Sequence, residues 1–470
     1  MLTLSGGRLA EVTGGTLVAG SADAMVNGVC IDSRSIDAGA AFLAIRGQRS
    51  DGHAFAADAL RAGARALVVT DWSDAVRAAV EESGRRDTSV VRVDDALAAV
   101  TALARYHRSR LSCPVVGVTG STGKTTTKDF LVGALGTKLR VTATRANRNN
   151  ELGVPLTVLE AGSESDVLVV EMGMRGAGQI AALCEVARPT LGLVTNIGQT
   201  HIELLGTQEA ILHAKGELVG CIPADGAVFL NGDDAWSRRL SGESAAPVTY
   251  YGLVEASDVR ATDIVLGDDG RPTLTLLAGG EAVTLTLPLP GRHNAYNAAA
   301  AAAVALRLGV GLTDIAEGLA HVELTEWRMQ VFTAANGVTV VNDAYNANPT
   351  SMRAAIDTLS GMRPEGRRIA VLGDMRELGS LAELAHFRLG EQIARAPIDV
   401  LVTVGDLGRR IAEGAQAEGM DAAAVRACAG AEEASEVLDD LLAPGDAVLV
   451  KASRSMGLER VVEGIVHPRA

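Results

Sequence analysis

The chain has 470 residues, which at roughly 150 residues per domain suggests about three domains, and its 47% hydrophobic and 21% charged content is that of a globular protein. Aromatics make up only 3%, so several cores must be built mainly from Ala, Val, Leu and Ile. A formal net charge of −14 disfavours non-specific binding to nucleic acid or anionic lipid, and any anionic substrate needs a local basic patch.

In chain order, the first segment alternates short apolar strands such as ARALVV (64–69) with helical stretches such as HAFAADALRAG (53–63), an α/β pattern. A long helix over DALAAVTALARYHRSRL (95–111) precedes Cys113-Pro114 and closes a first domain at 1–111. The second segment, 112–326, opens with the strand PVVGV and a Gly-rich turn, then continues through DVLVVEMG (166–173) and LGLVTNIG (191–198). From 258 to 287, ATDIVL, TLTLLAG and AVTLTLPL are short β runs separated by Gly and Asp, as in an antiparallel insertion on a parallel sheet. PGRHNAYNAAAAAAVAL restarts a helix. The third segment, 327–470, repeats strand, turn and helix: GVTVVNDAYN then SMRAAIDTL, RRIAVLGDM then AELAHFRLGEQIA, DVLVTVG, and DAVLVKAS. That alternation predicts a doubly wound, Rossmann-like domain with ligands at the carboxyl ends of its strands.

The five cysteines, Cys30, Cys113, Cys184, Cys221 and Cys428, are odd in number, widely spaced and without a CxxC. This argues against a disulfide framework or zinc ribbon and fits a reducing, cytoplasmic setting. MLTLSGGRLAEV lacks the basic and apolar regions of a signal peptide, and the longest apolar run, 298–306, is too short to span a bilayer. No membrane insertion and no nucleic-acid partner are expected.

The strongest chemical signal is VVGVTGSTGKTTTKDFL (115–131), an apolar strand followed by a turn with Gly117, Gly120 and Gly123, then Lys124, Thr125 and a helix. Glycines let the backbone of Gly120, Ser121, Thr122 and Gly123 curl so that N–H groups point at phosphate oxygens. The helix start through Thr126 adds partial positive charge. Lys124 suits the β/γ-phosphates and the Thr125 hydroxyl suits Mg²⁺. The spacing departs from GxxxxGK[ST], because position 118 is Val118 and Gly117 comes one residue early. Glu171 ends a buried strand, where a carboxylate can hold Mg²⁺.

Further along, TNIGQTHIELLGTQEAILHAKGEL (195–218) places Asn196 after a strand, His201 in a loop and Lys215 on a helix. Read alone, His201 is a structural histidine and Lys215 a surface lysine. In GRHNAYNAA (291–299), Asn294 and Asn297 share one face of a helix start, and their amides can pair with an adenine edge or serve as caps. EWRMQVF carries Arg328, and VVNDAYNANPTSM puts Asp343 at a strand end, where it can accept from ribose hydroxyls. Residues 346–349 form a turn before a helix, a place to grip a small ligand.

Taken in order, GVTGSTGKTTT, VVEMG, TNIGQTHIE, AKGE, HNAYN and NDAYN resemble the Mur ligase superfamily over essentially the whole chain. The resemblance implies an α/β protein of three domains: an N-terminal UDP-substrate domain, a central phosphate-loop ATPase with a mostly parallel sheet, and a C-terminal Rossmann-like domain. DSR (32–34), AFLAIRGQRSDGHAF (41–55), NNELGVPLTVL, NDAYNANPTSM and AVLGDMRELG are similar to the branch that joins D-alanyl-D-alanine to UDP-N-acetylmuramoyl-tripeptide. An Asp-Asn-Pro-Arg motif, which the branch adding the third residue carries, does not occur in this chain.

The resemblance further implies residue roles. Asp32, Ser33, Arg34, Asp51, Gly52 and His53 would lie near the uridine or muramoyl part, with Asn149 and Asn150 facing the same substrate. Lys124 would hold phosphates, with Thr125 and Glu171 on one Mg²⁺. His201 would serve a second Mg²⁺, with Lys215 carbamoylated. Asn294, Asn297 and Asp343 would bind adenosine, Arg328 phosphate, and Asn346 and Asn348 the incoming dipeptide. The expected partners are small molecules only, with the chain acting as a monomer. The implied chemistry is ATP-driven activation of a carboxylate as an acyl phosphate. Alternatives are another amide ligase of this type (third-residue addition or folylpolyglutamate synthesis) and a phosphate-loop regulatory ATPase.

Overall fold

The computed structural model describes residues 2–47, 50–85, 87–200 and 202–467, which form two compact units. The first comprises Met1–Gly117, Leu139–Gly173 and Gln179–Thr190. Its five-stranded sheet runs Thr16–Ala19, Ser89–Arg92, Ala66–Val69, Ala41–Leu43 and Val29–Cys30, antiparallel at the first pair and parallel elsewhere. Leu67 and Val69 pack from that sheet on Ala56, Ala59 and Leu60 of the helix Ala56–Ala62. The helix Ala96–Arg108 starts where Asp95 accepts the N–H groups of Leu97 and Ala98. Its far end is fixed by two buried polar contacts: His107 Nε2 meets the Ala161 carbonyl at 2.7 Å, and Arg108 Nε donates to the Ala187 carbonyl at 2.7 Å. In the same unit Val167–Glu171 pairs in parallel with Val141–Ala143.

The second unit comprises Val118–Lys138, Met174–Gly178 and Leu191–Ala470. Leu191–Val194, Ala227–Asn231, Val248–Gly252 and Val259–Leu266 pair in parallel in that order. Pro272–Ala278 and Glu281–Thr286 then add as antiparallel strands, the insertion expected from the sequence. The strand Leu191–Val194 stops two residues short of Asn196, which lies in the loop. Alanines 298–303 are all buried on the helix Asn294–Arg307, and their small side chains let it pack closely against the helix Lys124–Gly136. That second helix meets Leu312–Ala320 at a glycine crossing, where a Cβ on Gly133 would lie 2.6 Å from the Gly318 carbonyl oxygen.

The six-stranded sheet of the same unit runs Gln330–Thr333, Thr339–Asn342, Ala447–Lys451, Arg368–Gly373, Val400–Val404 and Val425–Cys428. The first pair is antiparallel and the others parallel. The strand latest in the chain therefore inserts between Thr339–Asn342 and Arg368–Gly373. In open α/β sheets ligands bind outside the carboxyl ends of the strands, at a point where the strand order reverses. Two strands lie outside the sequence expectation. Gln330–Thr333 is an edge strand with no fully buried residue, and Val425–Cys428 has two exposed residues at its centre. Neither carries a run of apolar residues that marks a buried strand. Among the described residues no helix is long and apolar enough to cross a membrane, and the five cysteines form no disulfide.

Candidate active site

The phosphate loop is built as the glycines require. Gly120 has φ +146° and Gly123 φ +80°, both in the region that favours glycine. A Cβ on Gly120 would fall 1.8 Å from Thr195 Oγ1, and one on Gly123 would fall 2.7 Å from Asn297 Oδ1. Against the expectation that every N–H of this loop faces phosphate, those of Ser121 and Thr122 are taken up by Asn196, which braces the loop from one side. Its carbonyl accepts Ser121 N–H at 2.9 Å, its Oδ1 accepts Thr122 N–H at 3.1 Å, and its Nδ2 donates to the Thr122 carbonyl at 3.1 Å. Ser121 Oγ donates to the Gly198 carbonyl at 3.0 Å, and Thr195 Oγ1 to the Thr122 carbonyl at 2.6 Å. The helix Lys124–Gly136 follows, with Gly123 as its N-cap, a buried Thr125 and a half-buried Thr126. A helix start supplies N–H groups outside its own ladder and a partial positive charge, which together suit an anion.

Two lysines converge on one carbonyl of this loop. Lys124 Nζ donates to Gly120 O at 2.7 Å and Lys215 Nζ to the same oxygen at 3.0 Å. Lys215 sits on the helix Gln208–Gly220 and is only 2% exposed. Burial first, and then the neighbouring Lys124 ammonium, pushes the Lys215 amine well below the usual lysine range. It is therefore a buried group of the loop and not a solvated surface lysine. His201 lies outside the described residues.

Behind the loop, Asn294 and Asn297 are buried and joined, with Asn297 Nδ2 donating to Asn294 Oδ1 at 2.9 Å. Asn294 Nδ2 donates to the Pro290 carbonyl at 2.8 Å, and Asn297 Oδ1 accepts the hydroxyl of Thr127 at 3.1 Å. The pair thus ties its helix to the phosphate-loop helix. The preceding residue, the half-buried His293, is pushed down to about 4 by burial, against the opposing pull of the Asp343 carboxylate.

Asp343 follows the strand Thr339–Asn342. Its Oδ2 is 2.5 Å from Lys451 Nζ, its Oδ1 accepts Met329 N–H at 3.2 Å, and Lys451 Nζ also donates to the Asn346 carbonyl at 2.8 Å. Arg328 stacks 4.1 Å from the centroid of the Tyr345 ring, and its Nε is buried without a hydrogen-bond partner. An unpartnered guanidinium N–H is a costly group that an anionic oxygen would satisfy. Asn348 caps the helix Pro349–Gly361: its Oδ1 accepts Ser351 N–H, Ser351 Oγ bonds the Asn348 backbone in return, and Pro349 fills the first helical position. Asn346 Oδ1 accepts the N–H of Ala347 at 2.9 Å.

The remaining expected residues lie in the first unit. Glu171, 1% exposed, ends its strand. Its N–H donates to Thr144 Oγ1 at 3.0 Å, and its Oε1 accepts Asn149 Nδ2 at 2.7 Å. Asn150 Oδ1 accepts the N–H of Gly153 at 2.9 Å and so starts the helix Gly153–Glu160. Asp32 caps the short helix Ser33–Ser35 and grips Arg34 through two oxygens at 2.9 and 2.7 Å. That side-chain bond, then the Arg34 backbone N–H, and weakly the charge of Arg148 beside Asn149, lower Asp32 to about 2. Asp51 caps the helix Gly52–Phe55, bonds His53 Nδ1 at 2.6 Å and receives Arg46 Nε at 2.9 Å. Its backbone bond from His53 leads the causes that lower it to about 2. His53 Nε2 in turn accepts Thr70 N–H at 3.0 Å.

The sequence reading missed Lys451, His293 and Tyr345. Lys451 had a visible signal, a lysine ending the otherwise apolar strand of DAVLVKAS, which is the same logic that singled out Glu171. Among the described residues no group of three or more His, Cys, Asp and Glu side chains is placed to hold a metal ion.

Comparison with known proteins matches three family models in chain order. "Mur ligase family, catalytic domain" covers residues 25–108, "Mur ligase middle domain" 118–305, and "Mur ligase, glutamate ligase domain" 327–454. The chain is 36% identical over 460 residues to a UDP-N-acetylmuramoyl-tripeptide–D-alanyl-D-alanine ligase of Bacillus subtilis, covering 98% of this chain and 97% of that protein. It is 39% identical over 447 residues to the ligase of the same name from Synechocystis, covering 95% and 93%. A crystal structure of MurF from Acinetobacter baumannii superposes with a TM-score of 0.85 at 29% identity, over 99% of both chains. The MurF ligase of Thermotoga maritima in complex with ADP gives 0.75 at 29% identity, over 93% of this chain and 96% of that one.

Proposed function

The chain belongs to the Mur ligase family, and we propose from that membership that it joins D-alanyl-D-alanine to UDP-N-acetylmuramoyl-tripeptide in peptidoglycan precursor synthesis, using ATP. The observation that carries this reading is full-length similarity to ligases named for that reaction, combined with a phosphate loop on whose Gly120 carbonyl two lysines converge. The third-residue ligase and folylpolyglutamate synthase structures that this chain resembles share only 17% and 18% identity with it, a likeness of fold alone.

The chemistry follows from the leaving-group problem. An amine cannot usefully displace oxide from a carboxylate. A carboxylate oxygen therefore attacks the γ-phosphorus and ADP departs, leaving an acyl phosphate. The dipeptide amine attacks the acyl carbon, and the tetrahedral intermediate expels phosphate, which carries away one carboxylate oxygen. Lys124 offsets charge on the transferring group, and Arg328 supplies its unpartnered N–H to phosphate. Asp343 accepts from ribose, Asn294 and Asn297 line the adenine side, and the turn carrying Asn346 and Asn348 meets the dipeptide. Asp32 to Arg34, Asp51 to His53, Asn149 and Asn150 serve the UDP-muramoyl acceptor. On this reading the acceptor is served by domain 1–111 with Asn149 and Asn150 of 112–326, the nucleotide by 112–326 with Arg328 and Asp343 of 327–470, and the dipeptide by 327–470, in the cytoplasm.

We assign Thr125 and Glu171 to one Mg²⁺ and His201 with Lys215 to a second; a hydroxyl and a buried carboxylate are hard oxygen donors of the kind it takes. Bound there, Mg²⁺ would neutralise charge on the phosphates. Lys215 as an ammonium would add positive charge, whereas its carbamate presents anionic oxygen and keeps the lysine's reach. The decisive experiment crosses each UDP-muramoyl peptide with each amino acid or dipeptide and scores phosphate release. Release that requires both the tripeptide and D-alanyl-D-alanine, with ¹⁸O moving from the acceptor carboxylate into phosphate, is the expected result. AMP and pyrophosphate as products would overturn it.

A further inference from the structure

The phosphate-loop helix carries an adjacent pair of charges that the chemistry above leaves unused. Lys128 and Asp129 are both buried, with Lys128 Nζ 2.5 Å from Asp129 Oδ1. The Asp129 carboxylate is spent on one residue distant in the chain. Its Oδ2 accepts the N–H of Thr325 at 2.9 Å and its Oδ1 accepts the Thr325 hydroxyl at 3.1 Å. Lys128 Nζ reaches the same hydroxyl at 3.4 Å. At the far end of this short segment, Asp343 Oδ1 holds Met329 N–H at 3.2 Å. Between the anchors Trp327 has φ +62°, and the anchored Met329 has φ +51°. Side-chain-bearing residues persist in that region only where their surroundings over-determine them. Arg328 stands between these two residues, against Tyr345.

We propose that Asp129 is a positioning residue of the nucleotide site: by gripping Thr325 it fastens the strained segment to the phosphate-loop helix and so aims Arg328 at the nucleotide phosphate. The inference rests on the reading of Arg328 as a phosphate ligand. At 1.5 Å per residue, Asp129 lies about 7.5 Å along the helix axis from Lys124, so the cradle and the clamp are parts of one rigid element. An unfastened segment would have to be ordered at each binding event, which weakens affinity. Pairing with Lys128 explains how a carboxylate is tolerated near a triphosphate, since the pair carries no net charge.

The test measures steady-state kinetics of the full-length enzyme with Lys128→Met/Asp129→Asn, which removes both buried charges together, and with the near-isosteric Thr325→Val. KM for ATP is expected to rise about tenfold in the paired variant and by less in Thr325→Val, with KM for D-alanyl-D-alanine unchanged, since a hydrogen bond to a charged group is worth that much. Because Asp129 acts through Arg328, the paired variant should add no more than about twofold in an Arg328→Met background. An unchanged ATP KM, or effects that multiply in that background, would leave Asp129 a structural tie and overturn the proposal. If Arg328→Met alone leaves the ATP KM unchanged, the reading of Arg328 falls first, and the proposal with it.

Discussion

Lys451 and Asp343 form a buried ion pair, Nζ to Oδ2 at 2.5 Å, at the carboxyl ends of two neighbouring parallel strands. Lys451 is 2% exposed at its side chain and Asp343 14%. The lysine's second bond, to the Asn346 carbonyl, fixes the turn assigned to the dipeptide. Lys451→Met would strand a buried carboxylate, a change that costs about 3–5 kcal/mol. Urea unfolding should show that loss, and Lys451→Met/Asp343→Asn should recover part of it. A single variant as stable as the parent would refute the assignment.

Gly120→Ala should impair nucleotide use. Its new methyl meets Thr195 Oγ1 at 1.8 Å in a conformation with φ +146°. A displacement of this order in a reacting site costs on the order of 10²-fold in kcat/KM. Trimming Thr195 to Ala in the same chain should return little, because the backbone conformation still resists a side chain. Full recovery would mean that the clash, and not the glycine conformation, sets the requirement.

Lys215→Ala should lose about 10²-fold or more in kcat, as when one electrostatic stabiliser is removed. If the working group is a carbamate, formate or acetate should restore part of the activity. Rescue by small amines alone would establish the plain amine in its place.

His293 gives stability a pH dependence of defined sign. Its folded value is lowered from 6.5 to about 4, so the unfolded chain binds the proton more readily. The contribution is present in full above 6.5 and is lost as pH falls from there towards 4. His293→Gln should flatten that part of the curve of urea midpoint against pH. A slope unchanged between wild type and variant would assign the acid sensitivity elsewhere.

Much of the α/β alternation was readable because buried parallel strands are short apolar runs with Gly or Asp at their ends, as in VVGVT and VLVVE. The phosphate loop was readable because only glycine satisfies its backbone. Lys215 shows the limit: a lysine in AKGE carries no sign of burial, which comes from the packing of its helix against the loop. The role of Asp129 was equally hidden, since its partner lies 196 residues away. Asn348 shows a different ambiguity. Asn before Pro at a helix start is good capping chemistry whether or not a ligand also uses it.

The late insertion of Ala447–Lys451 between Thr339–Asn342 and Arg368–Gly373, both laid down much earlier in the chain, has a consequence for how the protein is made. As the chain emerges from the ribosome, Thr339–Asn342 and Arg368–Gly373 cannot pair with their final neighbour, and a slot with unpaired edges on both sides stays open through two further strands and three α-helices. Asp343 waits through the same interval for its cation. The residues proposed here for nucleotide and dipeptide therefore reach their final setting together, on arrival of one strand, and a nascent chain stalled before residue 447 would be an edge-exposed species prone to capture by chaperones or by its own kind.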